Sequence, residues 1–208
     1  MRVATFLQEH HPHLTVPFDL SQSLGGGSDG EVFSLSDTAA VKLTVLSDWA
    51  DKGLDLHEEY ARIWWVLHQV RDRRPPYLVR VYDLNVLTYG TLMPQDHPYL
   101  VYYCRMEKLL PLTEDEQKVF QTILSHEDRH LRHDYNEKEL DGVLEGLAKG
   151  LDFSIAGVRL LYWQVRSGQF QHLDLHTRNV MKDAGGNFRL VDLDRLKLTM
   201  RNNDELEY

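Results

Sequence analysis

Four glycines in six residues, Gly25, Gly26, Gly27 and Gly30, interrupt the apolar pattern that runs from Phe18 to Val45. Glycine has no Cβ and populates both signs of φ, so such a cluster ends a regular element and turns the chain. Apolar residues resume at once, at Val32 to Leu35 and again at Ala39 to Leu43, which predicts strand, glycine turn, strand: a hairpin with a bendable tip. Next, Leu56, Tyr60, Ile63, Leu67 and Val70 recur at three-to-four spacing and predict a helix over 54–70, which Pro75-Pro76 forbids from continuing. Strand-like pieces follow at Leu78–Leu84 and Tyr99–Met106. Thr113 with Glu116 fits a capping box that opens acidic helical sequence to about Leu151. Ile155 to Val165 then carries Ile155, Val158, Leu161, Tyr162 and Val165 on one helical face. Last come apolar pieces at Phe170–Leu175, Asn179–Lys182 and Phe188–Leu193; the last two flank the turn Asp183 to Asn187 and predict a second hairpin.

The 208 residues suit one domain or two small lobes, and a content of 42% hydrophobic and 26% charged residues excludes bulk disorder. With 23 Lys+Arg against 32 Asp+Glu the formal charge is −9, which gives no long-range attraction for nucleic acid or an anionic membrane. Any bound phosphate must therefore be held by a few local donors. A single cysteine, Cys104, cannot form an internal disulfide, so a reducing cytoplasm is the expected compartment. Met1 to Leu14 lacks the apolar run of a signal peptide, and no stretch approaches a membrane span. Delivery into a host cell by a route that leaves no such signal is compatible with this reading.

Gly25-Gly26-Gly27-Ser28-Asp29-Gly30-Glu31-Val32 matches GxGxxGxV, in which missing side chains let backbone N–H groups approach phosphate oxygens. The strand that follows directly argues for a hairpin covering phosphates rather than a strand-to-helix dinucleotide turn. Twelve residues beyond Gly30, Lys42 ends the run Ala39-Ala40-Val41, where an ammonium needs a carboxylate or a phosphate. Glu58 and Glu59 are candidates on the next helix, and Glu59 is the better placed because Tyr60 and Ile63 then point inward. In His172-Leu173-Asp174-Leu175-His176-Thr177-Arg178-Asn179 and Val191-Asp192-Leu193-Asp194, polar groups stand among apolar ones that packing does not explain. Antiparallel pairing brings Asn179 and Asp192 side by side, two oxygen ligands suited to Mg²⁺. Asp174 would face the same spot as a proton acceptor.

Taken in order, GxGxxGxV, the lysine strand, the helix glutamate, HxDLxxxxN and DxD resemble the protein kinase superfamily from about Leu24 to Asp194. The resemblance implies an α+β, bilobal protein-kinase-like fold: an antiparallel-sheet N-lobe over 1–106, and over 107–208 a hinge and reduced, mainly helical C-lobe lacking an activation loop and later helices. It implies an ATP-dependent phosphotransferase using Mg²⁺. Gly25, Gly27, Ser28, Gly30 and Val32 would cover the nucleotide, and Lys42, positioned by Glu59, would orient its phosphates. Asp174 would be the base, and Asn179 and Asp192 the metal ligands. Tyr77 to Asp83 is similar to the kinase strand after the helix. Met106 would be the gatekeeper, and the Glu107 to Leu109 backbone, with Glu107 and Leu109 at its ends, would pair with adenine. The implied acceptor is a protein hydroxyl, as in serine/threonine kinases, with an activating partner as in small bacterial effector kinases.

The departures bear on substrate and regulation. Leu173 replaces the arginine that reads a phosphorylated activation loop, and 14 residues after Asp194 leave no room for that loop. His176 gives HxDLHxxN, similar to small-molecule phosphotransferases, so a small-molecule acceptor stays an alternative. Asp194, in place of the usual glycine, is either a further metal ligand or a turn cap, and Asp29 adds negative charge at the loop tip. A catalytically weak pseudokinase that binds a partner is the other main alternative. His126-Glu127-Asp128-Arg129-His130 spells HExxH, with His133 nearby, as a zinc protease would. Charged flanks at the edge of the stripe of Phe120, Ile123, Leu124 and Leu131 favour a solvated face instead. His10, His11 and His13 are read as an exposed cluster near a flexible end. Trp64 and Trp65 are read as one core and one interface residue.

Overall fold

The computed structural model describes residues 2–27, 30–47, 55–92, 97–130, 137–151, 153–167, 170–172, 175–193 and 196–198. The architecture is α+β, with a five-stranded antiparallel sheet and five helices among the described residues. The chain divides into two compact units, Met1–Pro75 with Arg80–Lys108, and Pro76–Val79 with Leu109–Tyr208. The first unit thus runs two residues past the expected change at 106/107, and the short segment after the helix belongs with the second. No described helix is long and apolar enough to cross a membrane.

In the first unit, β1 (Ser23–Gly26), β2 (Gly30–Ser34), β3 (Ala39–Ser47), β4 (Val81–Leu92) and β5 (His97–Glu107) form one antiparallel sheet in the order β1-β2-β3-β5-β4. The expected glycine hairpin is β1–β2. The two later strands are longer than the sequence predicts because polar Asn85 and Thr88, with Gly90, sit on a hairpin arm whose partner, β5, supplies the apolar side.

Helix α1 (Val3–His10) was the unforeseen element. Val3, Phe6 and Leu7, spaced i, i+3, i+4, are buried with Phe33, Val41, Leu43 and Val101 in one apolar cluster. The terminus expected to be flexible is therefore docked on the sheet, and His11 hydrogen-bonds the Tyr99 hydroxyl instead of standing free. Helix α2 (Leu56–Arg73) begins at Asp55, whose Oδ1 accepts from the N–H groups of His57 and Glu58 at 2.8 and 3.2 Å. It ends where Arg74 turns left-handed, φ 48°, ahead of the two prolines. Ile63, Val66, Leu67 and Val70 form its buried face. Trp64 and Trp65 do not divide into core and interface as expected: they are 43% and 39% exposed, off that face, and Trp64 stacks on His68.

The second unit holds β6 (Leu110–Pro111), α3 (Glu114–His130), α4 (Glu137–Ala148), α5 (Ile155–Ser167), β7 (Phe170–His172), β8 (Val180–Lys182), β9 (Phe188–Leu190) and β10 (Leu196–Leu198). The capping box is present: Glu116 Oε2 accepts from the Thr113 N–H at 2.8 Å, and Thr113 Oγ1 from the Glu116 N–H at 3.3 Å. Phe120, Ile123 and Leu124 of α3 are buried, as are Val158, Leu161, Tyr162 and Val165 of α5, in accord with their predicted stripes. β8 and β9 form the second hairpin, with β6 at its edge. The pairing of β7 with β10 joins segments 24 residues apart by register, His172 opposite Leu196, which local sequence does not announce.

Candidate functional site

Strand register decides which first-unit candidates share a surface. Directly paired residues of an antiparallel sheet point to the same side. Val32 pairs with Lys42, Lys42 with Cys104, and Ala40 with Met106, so Val32, Ala40, Lys42 and Met106 lie on one face. Phe33, Val41 and Leu43 lie on the other, under α1. Gly30, opposite Thr44, belongs to the Lys42 face, and a Cβ there would sit 2.9 Å from the Leu43 carbonyl oxygen and 3.2 Å from Lys42 Cε. Only glycine lets the hairpin lie this close to the lysine stem. Gly25, at φ 144°, marks the irregularity where β1 changes register against β2. The Gly27 N–H donates to the Gly30 carbonyl at 2.9 Å, closing the turn. Ser28 lies outside the described residues.

The Tyr60 ring of α2 packs 5.8 Å from Tyr102, which pairs with Thr44, so the start of α2 lies over the Lys42 face. Glu59 accepts from Arg62 twice, Nε to Oε2 at 2.9 Å and Nη2 to Oε1 at 2.6 Å. This guanidinium one turn along holds the carboxylate that the sequence pairs with Lys42. Met106 is buried at the end of β5. Beyond it the Glu107 N–H donates to the Arg80 carbonyl at 2.9 Å and the Lys108 N–H to the Thr38 carbonyl at 3.0 Å. Two N–H groups of the backbone stretch expected to pair with adenine, those of Glu107 and Lys108, are thus engaged within the protein.

In the second unit, Thr177–Asn179 form a 3₁₀ turn whose cap is His176: its Nδ1 accepts from the Arg178 N–H at 3.1 Å. His176 thus shapes the turn that presents Asn179, itself buried. The Val191 N–H donates to the Asn179 carbonyl at 2.8 Å, so Asp192 stands one position beyond the residue opposite Asn179. β9 has ended by then, and Asp192 adopts a left-handed conformation, φ 61°. Strain of that kind in a non-glycine residue collects at functional sites. Asp174, Leu173 and Asp194 lie outside the described residues, as does His133. The HExxH segment occupies the last turns of α3, where the side chains of 126–130 are likewise not described.

Two buried carboxylates, Asp183 and Glu116, support this region through partners beyond the turn and the capping box that the sequence predicts. Asp183 accepts from the Gly185 and Asn187 N–H groups, both at 2.9 Å, and from Arg189 Nη2 at 2.6 Å. Burial pushes its carboxyl up, but the bonds from Asn187 and Arg189 outweigh this and hold it below its ordinary value. Burial opposes ionisation of Glu116 in the same way, and there Lys182 and Thr113 prevail. The first carboxylate fixes the β8–β9 turn, and the second ties α3 to β8. Local sequence announces the turn and the cap, and the cationic partners are set by the fold.

No protein-family profile matches the chain, and no curated protein matches it. Among solved structures it is similar to WbdD, seen in a co-crystal with the kinase inhibitor LY294002, at 17% identity and a TM-score of 0.36. The match covers 84% of this chain and 32% of WbdD, so it spans about a third of that protein's length.

Proposed function

We propose that the protein is an ATP-dependent phosphotransferase that passes the γ-phosphate to a protein hydroxyl. The observation that carries this reading is the single sheet face on which register gathers Gly30, Val32, Ala40, Lys42 and Met106. An ammonium beside a glycine-only approach is a donor set for phosphate oxygens, and Val32, Ala40 and Met106 offer apolar contact to a base. Glu59 positions the Lys42 ammonium in this scheme, and Asp174 takes the proton of the attacking hydroxyl. Asn179 and Asp192 supply hard oxygen ligands that fit Mg²⁺, and the ion when bound would neutralise charge on the phosphates. Rate then derives from positioning and charge compensation. Action in a reducing cytoplasm fits a chain whose one cysteine, Cys104, is buried and makes no disulfide.

The test is transfer from labelled ATP with Mg²⁺, to the protein itself or to candidate protein substrates. The reading requires transfer that falls at least a hundredfold in Lys42→Ala and Asp174→Ala while both variants keep wild-type melting behaviour. Equal transfer by wild type and Lys42→Ala would refute it. A second reading, a partner-binding module without turnover, is favoured by the partly exposed Trp64 and Trp65 on α2. Nucleotide binding without transfer, with partners present, would select it.

A further inference from the structure

The glycine motif contains one buried charged residue that the phosphotransfer scheme does not use. Glu31, between Gly30 and Val32, is 5% exposed and points to the α1 side of the sheet, paired with Leu43. Its two oxygens have different partners. Oε1 accepts from the Ser23 hydroxyl at 3.0 Å, across the hairpin on β1. Oε2 accepts from the Ala4 N–H at 3.4 Å, in the first turn of α1. The first N–H groups of a helix lack partners within it, and the N-cap residue here, Arg2, supplies no side-chain bond. A carboxylate in that place also meets the positive end of the helix dipole. Glu31 therefore caps α1 from another element. The apolar faces of α1 and β2–β3 reinforce the link, because Phe6 and Leu7 pack in one cluster with Phe33 and Leu43.

We propose that Glu31 is a positioning residue: it clamps the glycine hairpin to α1 from behind the sheet, and so sets the hairpin's place over a bound nucleotide. The nucleotide half of this proposal rests on the phosphotransferase reading; the mechanical half does not. Ser23 fixes the β1 arm and Ala4 fixes the helix, so loss of the carboxylate frees both together. It follows that whatever displaces α1, a partner protein included, loosens the hairpin.

Two measurements on the full-length protein test it, at a temperature where every variant is folded. The first is hydrogen exchange of the amides of 23–34 without ligand; the second is equilibrium binding of Mg²⁺ with a non-hydrolysable ATP analogue. Glu31→Ala is expected to speed hairpin exchange about tenfold and to weaken analogue binding about tenfold, the scale for loss of a charged hydrogen-bond acceptor. Glu31→Gln, which keeps one carbonyl oxygen, should recover part of both, and Ser23→Ala should show a smaller change in the same direction. If Glu31→Ala does not fold, these two variants decide. Unchanged hairpin exchange overturns the clamp, and faster exchange with unchanged analogue affinity overturns the positioning role. Wild-type protein that binds no analogue sinks the phosphotransferase reading instead, and the exchange arm still judges the clamp.

Discussion

Asp192 holds a left-handed backbone, φ 61°, which costs a residue with a Cβ about 1 kcal/mol. Asp192→Gly relieves that backbone cost, and the protein should stay folded but lose Mg²⁺-dependent transfer. Calorimetry beside a transfer assay checks both halves. Asp183 makes the opposite case, a carboxylate that serves stability. Its folded-state carboxyl is held below the ordinary 3.8. Its contribution is therefore complete above that pH and is lost as the pH falls through the lower folded value. Asp183→Asn should cost about 2–3 kcal/mol at neutral pH, since it leaves Arg189 without its charged partner, and the gap from wild type should close below about pH 3.8 in urea titrations. At this scale, the glycine turn and the strand that carries Lys42 were legible from spacing, whereas the shared face of Gly30, Val32, Lys42 and Met106 follows from strand register. Glu31 and the bond of Glu116 to Lys182 were not legible, because each depends on what the fold brings to it.

Elements defined by local chemistry could be read directly. The Thr113–Glu116 capping box formed as the spacing required, and Thr113→Ala should cost about 1 kcal/mol in chemical denaturation, with the loss confined to the onset of α3. Helix α2 and the β8–β9 hairpin were equally open to reading, the first from its three-to-four apolar spacing and the two prolines that stop it, the second from the Gly-Gly turn. Helix α1 was overlooked although Val3, Phe6 and Leu7 carry its signal. Eight residues make too short a helix to stand alone, and only the sheet beneath makes it stable. The β7–β10 pair was out of reach because its two three-residue strands owe their existence to each other.

For the molecule as a whole, ligand binding and stability are linked. Mg²⁺ with ATP analogue at a hundred times its dissociation constant should raise stability by about 2.7 kcal/mol. Thermal scans should show that gain vanish with a chelator and in Lys42→Ala. Within the first unit, one aromatic ring joins several parts. Tyr99 bonds His11 at the end of α1, packs edge-on to Phe6, and lies across the strand from Gly90. A Cβ at Gly90 would fall 2.6 Å from the Tyr99 hydroxyl oxygen, so nothing larger fits while the ring stays put. Descendants of this sequence should then vary at 90 and 99 in concert: a lineage that exchanges tyrosine for a smaller side chain is released to accept bulk at 90, and one that keeps tyrosine is not.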